Sequence, residues 1–312
     1  MSDQKKKILV TGANGLLGSS LVPLLVWRGF DVVATGRGEN RVLDPQLIRS
    51  GNIQYVPLDL LDGVDIEKKI ISMAPDQIVH AGAQTQVDFC EQNPVECWNT
   101  NVTATRFIIS AAEKVNAGLV YVSTDFVFSG EKGMYREEDD PGPVNYYGSS
   151  KLAAEKSVMG SCLNWSIART VLVYGNSKLS HRTNILTWVR DELTRGKSIK
   201  VVNDQVRTPT FVNDLAEGIC LMIEKNASGI FHLSGKDVLT PYEMAIAAAE
   251  YFSLDTSLIT PVDASTFSQP AKRPLKTGFN IDKAKRELGY SPTAFSLAIS
   301  KAFNVLRSTF NV

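Results

Sequence analysis

Short apolar runs alternate with amphipathic segments along the first 175 residues. The runs are nearly continuous, as expected for strands that are buried on both faces of a sheet. Six of them predict strands, at residues 7–11, 31–35, 53–58, 77–81, 119–123 and 166–173. Helical patterns lie between them, at residues 15–27, 64–73 and 147–158 and in a long segment after Pro94. This alternation predicts βαβ units and hence an α/β fold, a doubly wound parallel sheet of the Rossmann type.

The pattern changes beyond Gly175, where helical patterns dominate and short strands such as 199–202 and 229–233 join them. The helical patterns lie at residues 183–193, 213–224, 242–252, 281–288 and 295–306. We therefore predict a dinucleotide-binding domain over residues 1–175 and a smaller, mainly helical substrate lobe over residues 176–312, with some crossing of the chain between them. Such a lobe would close over the carboxyl ends of the strands, where α/β proteins bind ligands.

The overall charge narrows the classes of partner. Lys plus Arg and Asp plus Glu number 33 each among 312 residues, so the formal net charge is +0. This balance argues against a nucleic-acid or membrane-surface binder, but it permits a local basic pocket for an anionic small molecule. The first apolar run is too short for a signal peptide, and no run approaches the roughly 18 apolar residues of a membrane span. We therefore expect a cytoplasmic protein.

The cysteines and histidines do not indicate metal or disulfide chemistry. The four cysteines form no C-x-x-C pair and are interpreted as buried, reduced thiols. His80, His181 and His232 are isolated along the chain and fit no metal-ligand spacing. We expect no catalytic metal.

The string TGANGLLG places three glycines between the first predicted strand and its helix. Glycines there allow a tight turn and a close approach of the backbone to a pyrophosphate, which the N–H groups and the positive end of the helix bind. An ordinary strand-to-helix loop is the alternative, and the strand and helix on either side weigh against it. The candidate cofactor-binding residues here are Gly12, Asn14, Gly15, Leu16, Leu17 and Gly18.

The end of the second strand bears on the choice of cofactor. An acidic residue about 20 residues past the glycines usually accepts hydrogen bonds from the ribose of NAD. Here Arg37 stands at that place, and a cation suits the extra phosphate of NADP, although Glu39 lies close by. We therefore expect NADP in preference to NAD. Asp59 and Leu60 follow the third strand and would lie by the adenine, unless Asp59 instead caps the next helix.

A Tyr-x-x-x-Lys spacing supplies the candidate chemistry. Tyr147 and Lys151 are four residues apart in a predicted helix, so both project from one face. A lysine ammonium near a phenol favours the phenolate and lowers the phenol pKa, which makes Tyr147 a usable proton donor. Ser123 and Thr124 end the fifth strand, where a hydroxyl could hold a substrate carbonyl. Tyr146 is the rival phenol, but it lies off the face of Lys151.

Three motifs, TGANGLLG, STDFVF and YYGSSK, resemble those of the extended short-chain dehydrogenases/reductases, and within them the dTDP-4-dehydrorhamnose reductase family. The string VVNDQVRTPT and the Arg-Pro pair at 273–274 are similar to that family's substrate lobe. The resemblance covers nearly the whole chain in the family's motif order. It implies an NAD(P)-dependent oxidoreductase that reduces the keto group of a nucleotide-linked 4-keto-6-deoxysugar.

The resemblance also implies roles for individual residues. Tyr147 would be the general acid, and Lys151 would activate it and anchor the nicotinamide ribose. Thr124 would bond the substrate carbonyl, with Ser123 and Asp125 beside it. The small-residue loop after the fourth strand and the end of the sixth strand would pass close to the cofactor; these residues are Ala81, Gly82, Ala83 and Val173.

Further candidates lie where the resemblance places the substrate. Gln86 lies in the segment that would border it, and Asn184 is in the segment that would face the cleft. Arg207 and Arg273 are candidates for the pyrophosphate of the sugar nucleotide, and ordinary loop charges are the alternative. The resemblance also implies that Asn101 has a structural role near the site.

Two other functions stay open. An epimerase or 4,6-dehydratase of the same fold would keep NAD bound, although the related dehydratases carry a proton-transferring Glu where this chain has Phe126. A non-catalytic regulatory subunit is the other alternative, because the β subunit of methionine adenosyltransferase resembles the same reductases. A homodimer through the long helices is also left open by the sequence.

Overall fold

The computed structural model describes residues 5–41, 52–175 and 184–304. His181, Thr183 at the start of one predicted helix, and residues 305–306 at the end of another lie outside the described residues. The described strands, numbered β1 to β11 along the chain, are Lys7–Thr11, Asp31–Gly36, Ile53–Pro57, Gln77–His80, Gly118–Thr124, Trp165–Thr170, Val173–Tyr174, Ile199–Val202, Thr210–Phe211, Gly229–His232 and Ile259–Val262.

Seven of these strands form one parallel sheet in the order β10-β6-β5-β4-β1-β2-β3. The order reverses at β1, as in a doubly wound sheet, so the predicted Rossmann-like α/β fold is confirmed. The register aligns the carboxyl ends of neighbouring strands, with Thr11 opposite both Thr35 and His80. Side chains at these ends therefore meet along one edge of the sheet.

One strand was assigned to the wrong part of the fold. The segment Gly229–His232 was expected to join helices in the smaller lobe, but it pairs in parallel with β6 and is the seventh strand of the main sheet. Its four residues are GIFH, with only Phe231 and His232 buried, so the sequence alone gave no sign of a central-sheet strand. The chain thus crosses back into the first domain well after residue 175.

Helices cover both faces of the sheet. The described α-helices, numbered α1 to α11 along the chain, are Leu16–Trp27, Gly63–Met73, Val87–Gln92, Pro94–Trp98, Ala104–Val115, Tyr146–Met159, Ile185–Thr194, Val212–Glu224, Pro241–Tyr251, Asp282–Leu288 and Phe295–Asn304. Helices α1 and α8 pack on one face, around Val10 and Leu21. Helices α2, α5 and α6 pack on the other face, around Leu9 and Ile108.

The long helix expected after Pro94 is interrupted. Between α4 and α5 the backbone forms a π-helical turn at Asn99–Thr103, which contains the buried Asn101. Such turns are frequent at functional sites because the extra residue in the turn re-aims side chains. Here the turn lies directly beside α6, which carries the Tyr-x-x-x-Lys pair.

The segment from residue 184 onward builds a second apolar core, which includes Leu186, Phe211, Met244 and Phe295. Two small parallel sheets, β8 with β11 and β7 with β9, edge this core. Among the described helices, none has the length and apolar character that a bilayer crossing requires.

Candidate active site

Two adjoining cavities form a groove across the carboxyl ends of the sheet strands. Their volumes are about 400 and about 500 Å³. Both are lined by the Gly-rich loop and by the loop after β4, and they share Gly12, Gly15, Ala81 and Ala83. The first cavity extends over the end of β2, and the second extends to α6 and the lobe. This is the place where ligands of open α/β sheets bind.

The Gly-rich loop is packed too closely for side chains. Gly12 has φ of +72°, and a Cβ there would lie 2.8 Å from the Cα and N atoms of Gly82. Gly18 does not line the groove; it packs on Ala13, where a Cβ would lie 2.4 Å from a backbone oxygen. Gly15 caps α1 without a side chain, so the first N–H groups of the helix stay free to bind an anion.

Asn14 connects the Gly-rich loop to the loop after β2. Its Nδ2 donates to the Tyr55 hydroxyl at 2.8 Å and to the Glu39 carbonyl at 3.0 Å. Its Oδ1 accepts from the backbone N–H of Arg41 at 3.0 Å. Arg37 and Arg41 both line this end of the groove and are exposed. Two cations therefore lie where the sequence indicated one.

A buried network fixes the loop after β4. The Thr11 Oγ1 is 2.7 Å from His80 Nδ1 and accepts from Gly82 N at 3.1 Å. The other ring nitrogen, Nε2, is 3.1 Å from the Thr105 hydroxyl. Burial, and secondly the charge of Lys151, lowers the pKa of His80 to about 3, so the ring is neutral. His80 is thus a structural residue beneath the groove.

The depressed pKa of His80 predicts a loss of stability in mild acid. The unfolded chain binds a proton near pH 6.5 and the folded chain only near pH 3, so stability falls as pH drops from 6.5 towards 3. Between pH 6.5 and pH 5 this residue should cost about 2 kcal/mol of unfolding free energy. Urea unfolding at pH 7 and pH 5 measures it. His80→Gln should lose about 2 kcal/mol less than the wild type, and equal losses would contradict the assignment.

The residues proposed for catalysis meet at the far end of the groove. Thr124 ends β5, and its hydroxyl hydrogen-bonds the phenol of Tyr147 on α6. Lys151, one turn further along α6, donates from Nζ to the Val122 carbonyl at 2.8 Å. The ammonium also lies 4.1 Å from the centroid of the Tyr121 ring. Asn145 caps α6 by accepting from Gly148 N, which sets the start of this helix.

The electrostatics differ from the sequence-based expectation. Lysine was expected to lower the pKa of Tyr147, but burial raises that pKa, and the hydrogen bond from Thr124 opposes the shift only in part. Burial also lowers the pKa of Lys151 to about 7. The expected proximity effect was therefore wrong for this arrangement, because desolvation of both groups exceeds their mutual influence.

Asp125 is a buried carboxyl group beside Thr124. Its Oδ1 accepts from the Thr124 hydroxyl at 3.1 Å, and its Oδ2 accepts from the Thr277 hydroxyl. Burial raises the pKa of Asp125, while the charge of Arg207 and these hydrogen bonds work against the rise. The carboxyl group thereby orients Thr124 at the wall of the groove.

The two arginines proposed for a pyrophosphate are both engaged within the protein. All four N–H bonds of the terminal nitrogens of Arg207 are used, by the carbonyls of Val206, Leu275 and Pro274 and by Gln205 Oε1. Arg273 forms a two-pronged ion pair with Asp88. Both side chains nevertheless line the second cavity.

Asn184 also serves the fold. Its Oδ1 accepts from Leu186 N at 3.1 Å and Thr187 N at 3.4 Å, which caps α7. Its Nδ2 donates to the Gly175 carbonyl at 2.6 Å. The residue lines the second cavity, and its contact with a substrate stays a prediction.

Most of the sequence-proposed residues converge on the groove. The first cavity brings together Gly12, Asn14, Gly15, Arg37, Asp59, Leu60, Ala81, Gly82 and Ala83. The second brings together Gly12, Gly15, Leu16, Leu17, Ala81, Ala83, Ser123, Thr124, Asp125, Tyr147, Lys151, Val173, Asn184, Arg207 and Arg273. Gly18 and Gln86 line neither cavity, and Gln86 is exposed at the start of α3. The cap of α2 is Asp62, which leaves Asp59 to the groove.

Sequence reasoning missed several residues that line the groove. Arg41 could have been found, since it lies in the same GRGENR segment as Arg37. Gln205, in the recognised VVNDQVRTPT string, could also have been found. Leu172 and Leu215 carried no signal, because apolar residues at these places look like core. Asn101 does have the expected structural role, holding both backbone groups of Gln84.

No group of three or more potential ligand side chains in the described ranges is arranged to hold a metal ion. The groove instead combines a phosphate-type backbone cradle at one end with hydroxyl, phenol and ammonium groups at the other. The sheet order, the Gly-rich loop and the Tyr-Lys pair together define a Rossmann-like protein of the extended short-chain dehydrogenase/reductase class.

The chain belongs to the family described as RmlD substrate binding domain, whose model matches residues 6–308. Methionine adenosyltransferase 2 subunit beta from Bos taurus is 31% identical over 266 residues, which are 83% of this chain and 76% of that protein. The probable low-salt glycan biosynthesis reductase Agl14 from Haloferax volcanii is 30% identical over 90% of this chain and 92% of its own.

The fold is also similar to a solved reductase. The crystal structure of dTDP-4-dehydrorhamnose reductase from Bacillus anthracis, in complex with NADP, superimposes with a TM-score of 0.84. It is 27% identical and covers 97% of this chain and 100% of its own. The resemblance to the extended short-chain family that the motifs indicated is thereby confirmed.

Proposed function

We propose that this protein is an NAD(P)H-dependent reductase of a nucleotide-linked 4-keto-6-deoxysugar. One observation carries the proposal: a single groove joins the Gly-rich loop to Thr124, Tyr147 and Lys151. Two relatives support it, since one is named a probable reductase and another is a dTDP-4-dehydrorhamnose reductase in complex with NADP. The intact hydroxyl, phenol and ammonium set is the chemistry that reduction of a carbonyl needs.

The groove fits a nicotinamide dinucleotide. The close contact of Gly12 with Gly82 leaves room for backbone and ligand but not for a side chain. The N-terminus of α1 would bind the pyrophosphate, and Asp59 with the two loop arginines would surround the adenosine end. When bound, the reduced nicotinamide supplies a hydride to the carbonyl carbon.

The residues of the chain would handle the proton. Thr124 and Tyr147 would both hydrogen-bond the substrate carbonyl oxygen, which polarises the carbonyl and fixes its position. Tyr147 would then donate its phenolic proton as the oxygen gains charge. Lys151 would stabilise the phenolate that results, because its ammonium lies one helical turn away. Phe126 and the rest of the apolar wall exclude water from these groups.

The mouth of the groove offers recognition of the nucleotide diphosphate. Arg273 is held by Asp88 with two hydrogen bonds and is partly exposed, so its guanidinium is pre-positioned. We propose that the anionic diphosphate meets this ion pair. Arg207 would act differently, by holding the backbone of residues 274–275 that forms the same wall.

The loop after β2 predicts a preference for NADPH. Arg37→Ala or Arg41→Ala should weaken NADPH binding about 10- to 100-fold, because each removes a charge-assisted hydrogen bond to the 2′-phosphate. NADH binding should change less than about threefold. Fluorescence titration with both cofactors measures the ratio. Arg286→Ala, exposed on α10, is the matched control. Equal weakening of both cofactors would contradict the phosphate role.

The test of the proposed activity is a substrate panel. The purified protein is incubated with NADPH and, separately, with dTDP-, UDP- and GDP-linked 4-keto-6-deoxysugars, and the absorbance of NADPH is followed. Stoichiometric oxidation of NADPH with at least one sugar supports the reductase. Failure with the whole panel, while NADPH still binds, would reject it.

A regulatory subunit is the second candidate. The specific observation that favours it is the 31% identity to methionine adenosyltransferase 2 subunit beta over 83% of this chain. The test is to mix the protein with a methionine adenosyltransferase catalytic subunit from the same cell and to measure co-migration and synthase kinetics. A stoichiometric complex with altered kinetics, together with no ketosugar turnover, would replace the reductase proposal.

A further inference from the structure

A buried ion pair lies behind the catalytic helix. Arg169 on β6 donates from Nε to Glu155 Oε1 at 3.0 Å and from Nη2 to Oε2 at 2.7 Å. The side chains of Glu155 and Arg169 are only 0 and 2% exposed. Neither residue lines the groove. Neither belongs to a motif that suggested the function, so the reaction as described leaves the pair without a role.

Stability alone does not explain this pair. Removing two charges from water costs several kcal/mol for each ion, and a well-packed apolar pair of similar volume is often as stable or more so. A buried ion pair that persists at such a cost needs another consequence. The consequence here is electrostatic, because Glu155 stands four residues after Lys151 on α6 and therefore on the same helix face.

The surroundings of Lys151 contain few groups that favour its charge. Its own helix contributes Glu155 and Tyr147, β5 contributes the Tyr121 ring, and β4 contributes the neutral His80. Helix α4 contributes the Cys97 thiol. Burial lowers the pKa of Lys151 to about 7, and Glu155 is the strongest of the groups that raise it again. Without that carboxylate, burial would act on the ammonium with less opposition.

We propose that the Glu155–Arg169 pair is a positioning element for catalysis: the Glu155 carboxylate keeps the buried Lys151 side chain in its ammonium form, and Arg169 fixes that carboxylate in place. Two hydrogen bonds prevent Glu155 from swinging towards Lys151 and forming a direct ion pair. The ammonium thus stays on Val122 and the Tyr121 ring, beside Tyr147. The kinetic consequence rests on the proposed reductase function, whereas the charge of Lys151 does not.

The direct test measures the titration of Lys151 in the cofactor-free protein. The lysines are labelled with ¹³C at Cε, and NMR follows their signals with pH; Lys151→Met assigns the relevant signal. The test variant is the double substitution Glu155→Leu with Arg169→Met, which removes both charges and leaves no unpaired buried ion. The titration midpoint of Lys151 should fall by about one pH unit. Glu250→Gln, which removes an exposed carboxylate on α9, should leave the midpoint unchanged.

A folded double variant in which Lys151 titrates as in the wild type would overturn the proposal. If the double variant does not fold, Glu155→Gln keeps the side-chain shape and decides the question in the same way. The kinetic readout is the alkaline limb of kcat/KM against pH. Activity is lost as pH rises through the pKa of Lys151, so this limb should move about one unit lower in the variant. A merely structural pair would change the melting temperature and leave the limb where it is.

The outcomes separate this inference from the proposed function. If the wild type reduces no ketosugar, the reductase proposal fails, and the NMR titration still decides whether Glu155 sets the charge of Lys151. If the wild type is active and the midpoint of Lys151 does not move, the function stands and the inference is wrong.

Discussion

Tyr147→Phe is expected to lower turnover of the ketosugar by about 10²- to 10⁴-fold, which is the contribution of a positioned general acid. The variant removes one hydroxyl, the group that Thr124 holds at the groove wall. The ring itself packs with Cys90, Cys97 and Phe126, and phenylalanine keeps this packing. Cofactor affinity should therefore stay within about threefold of the wild type. Single-turnover kinetics with NADPH and a ketosugar, together with cofactor titration, measure both quantities.

The neighbouring phenol is the matched control. Tyr146 begins α6, is half-buried and packs against the Trp98 ring at 6.4 Å. Tyr146→Phe removes the same atom from the next residue and should leave turnover within about threefold, since this phenol does not line the groove. Wild-type turnover in Tyr147→Phe would remove Tyr147 from the mechanism.

Gly12→Ala is expected to damage both the fold and cofactor binding. The new Cβ would lie 2.8 Å from two backbone atoms of Gly82, and the residue would have to hold φ at +72°. Strain and displacement together should cost about 2–4 kcal/mol of unfolding free energy. The loop would also move from the pyrophosphate position, which should weaken the dinucleotide on the order of 10- to 100-fold. Urea unfolding and cofactor titration measure the two effects.

A second glycine separates strain from crowding. Gly29 has φ of +87° and nothing within 4 Å of the position where a Cβ would lie. Gly29→Ala should therefore cost only about 1 kcal/mol, from the backbone conformation alone, and leave cofactor affinity unchanged. If the two variants were equally destabilised and bound the dinucleotide equally well, the close contact between Gly12 and Gly82 would not matter.

The main sheet was largely predictable because its strands are short apolar runs with helical patterns between them. The strand β10 was not, since only two of its four residues are buried and its partner, β6, precedes it by about 60 residues. The π-helical turn around Asn101 was not predictable either. No local propensity marks it, and it is fixed by hydrogen bonds to Gln84 and Ser150, which are far away in sequence.

The site was predictable where spacing determines geometry. Tyr147 and Lys151 share a helix face because they are four residues apart, and Gly12 lies against Gly82 because strand ends align. The electrostatics were not predictable, because they depend on burial. The pKa of Lys151 falls to about 7 through desolvation, which no local pattern records. The use of Arg207 as a structural brace follows from carbonyls more than 60 residues away.

The central claim is that the groove carries a hydride to a sugar carbonyl while Tyr147 supplies a proton. The most direct measurement uses NADPH with deuterium at the transferable position of nicotinamide C4, and the product of the best substrate in the panel is examined by mass spectrometry and NMR. The account predicts one deuterium bound to the carbon of the new alcohol and one oxidised cofactor for each product molecule. Product sugar without deuterium, or turnover that leaves the cofactor unconsumed, would contradict it.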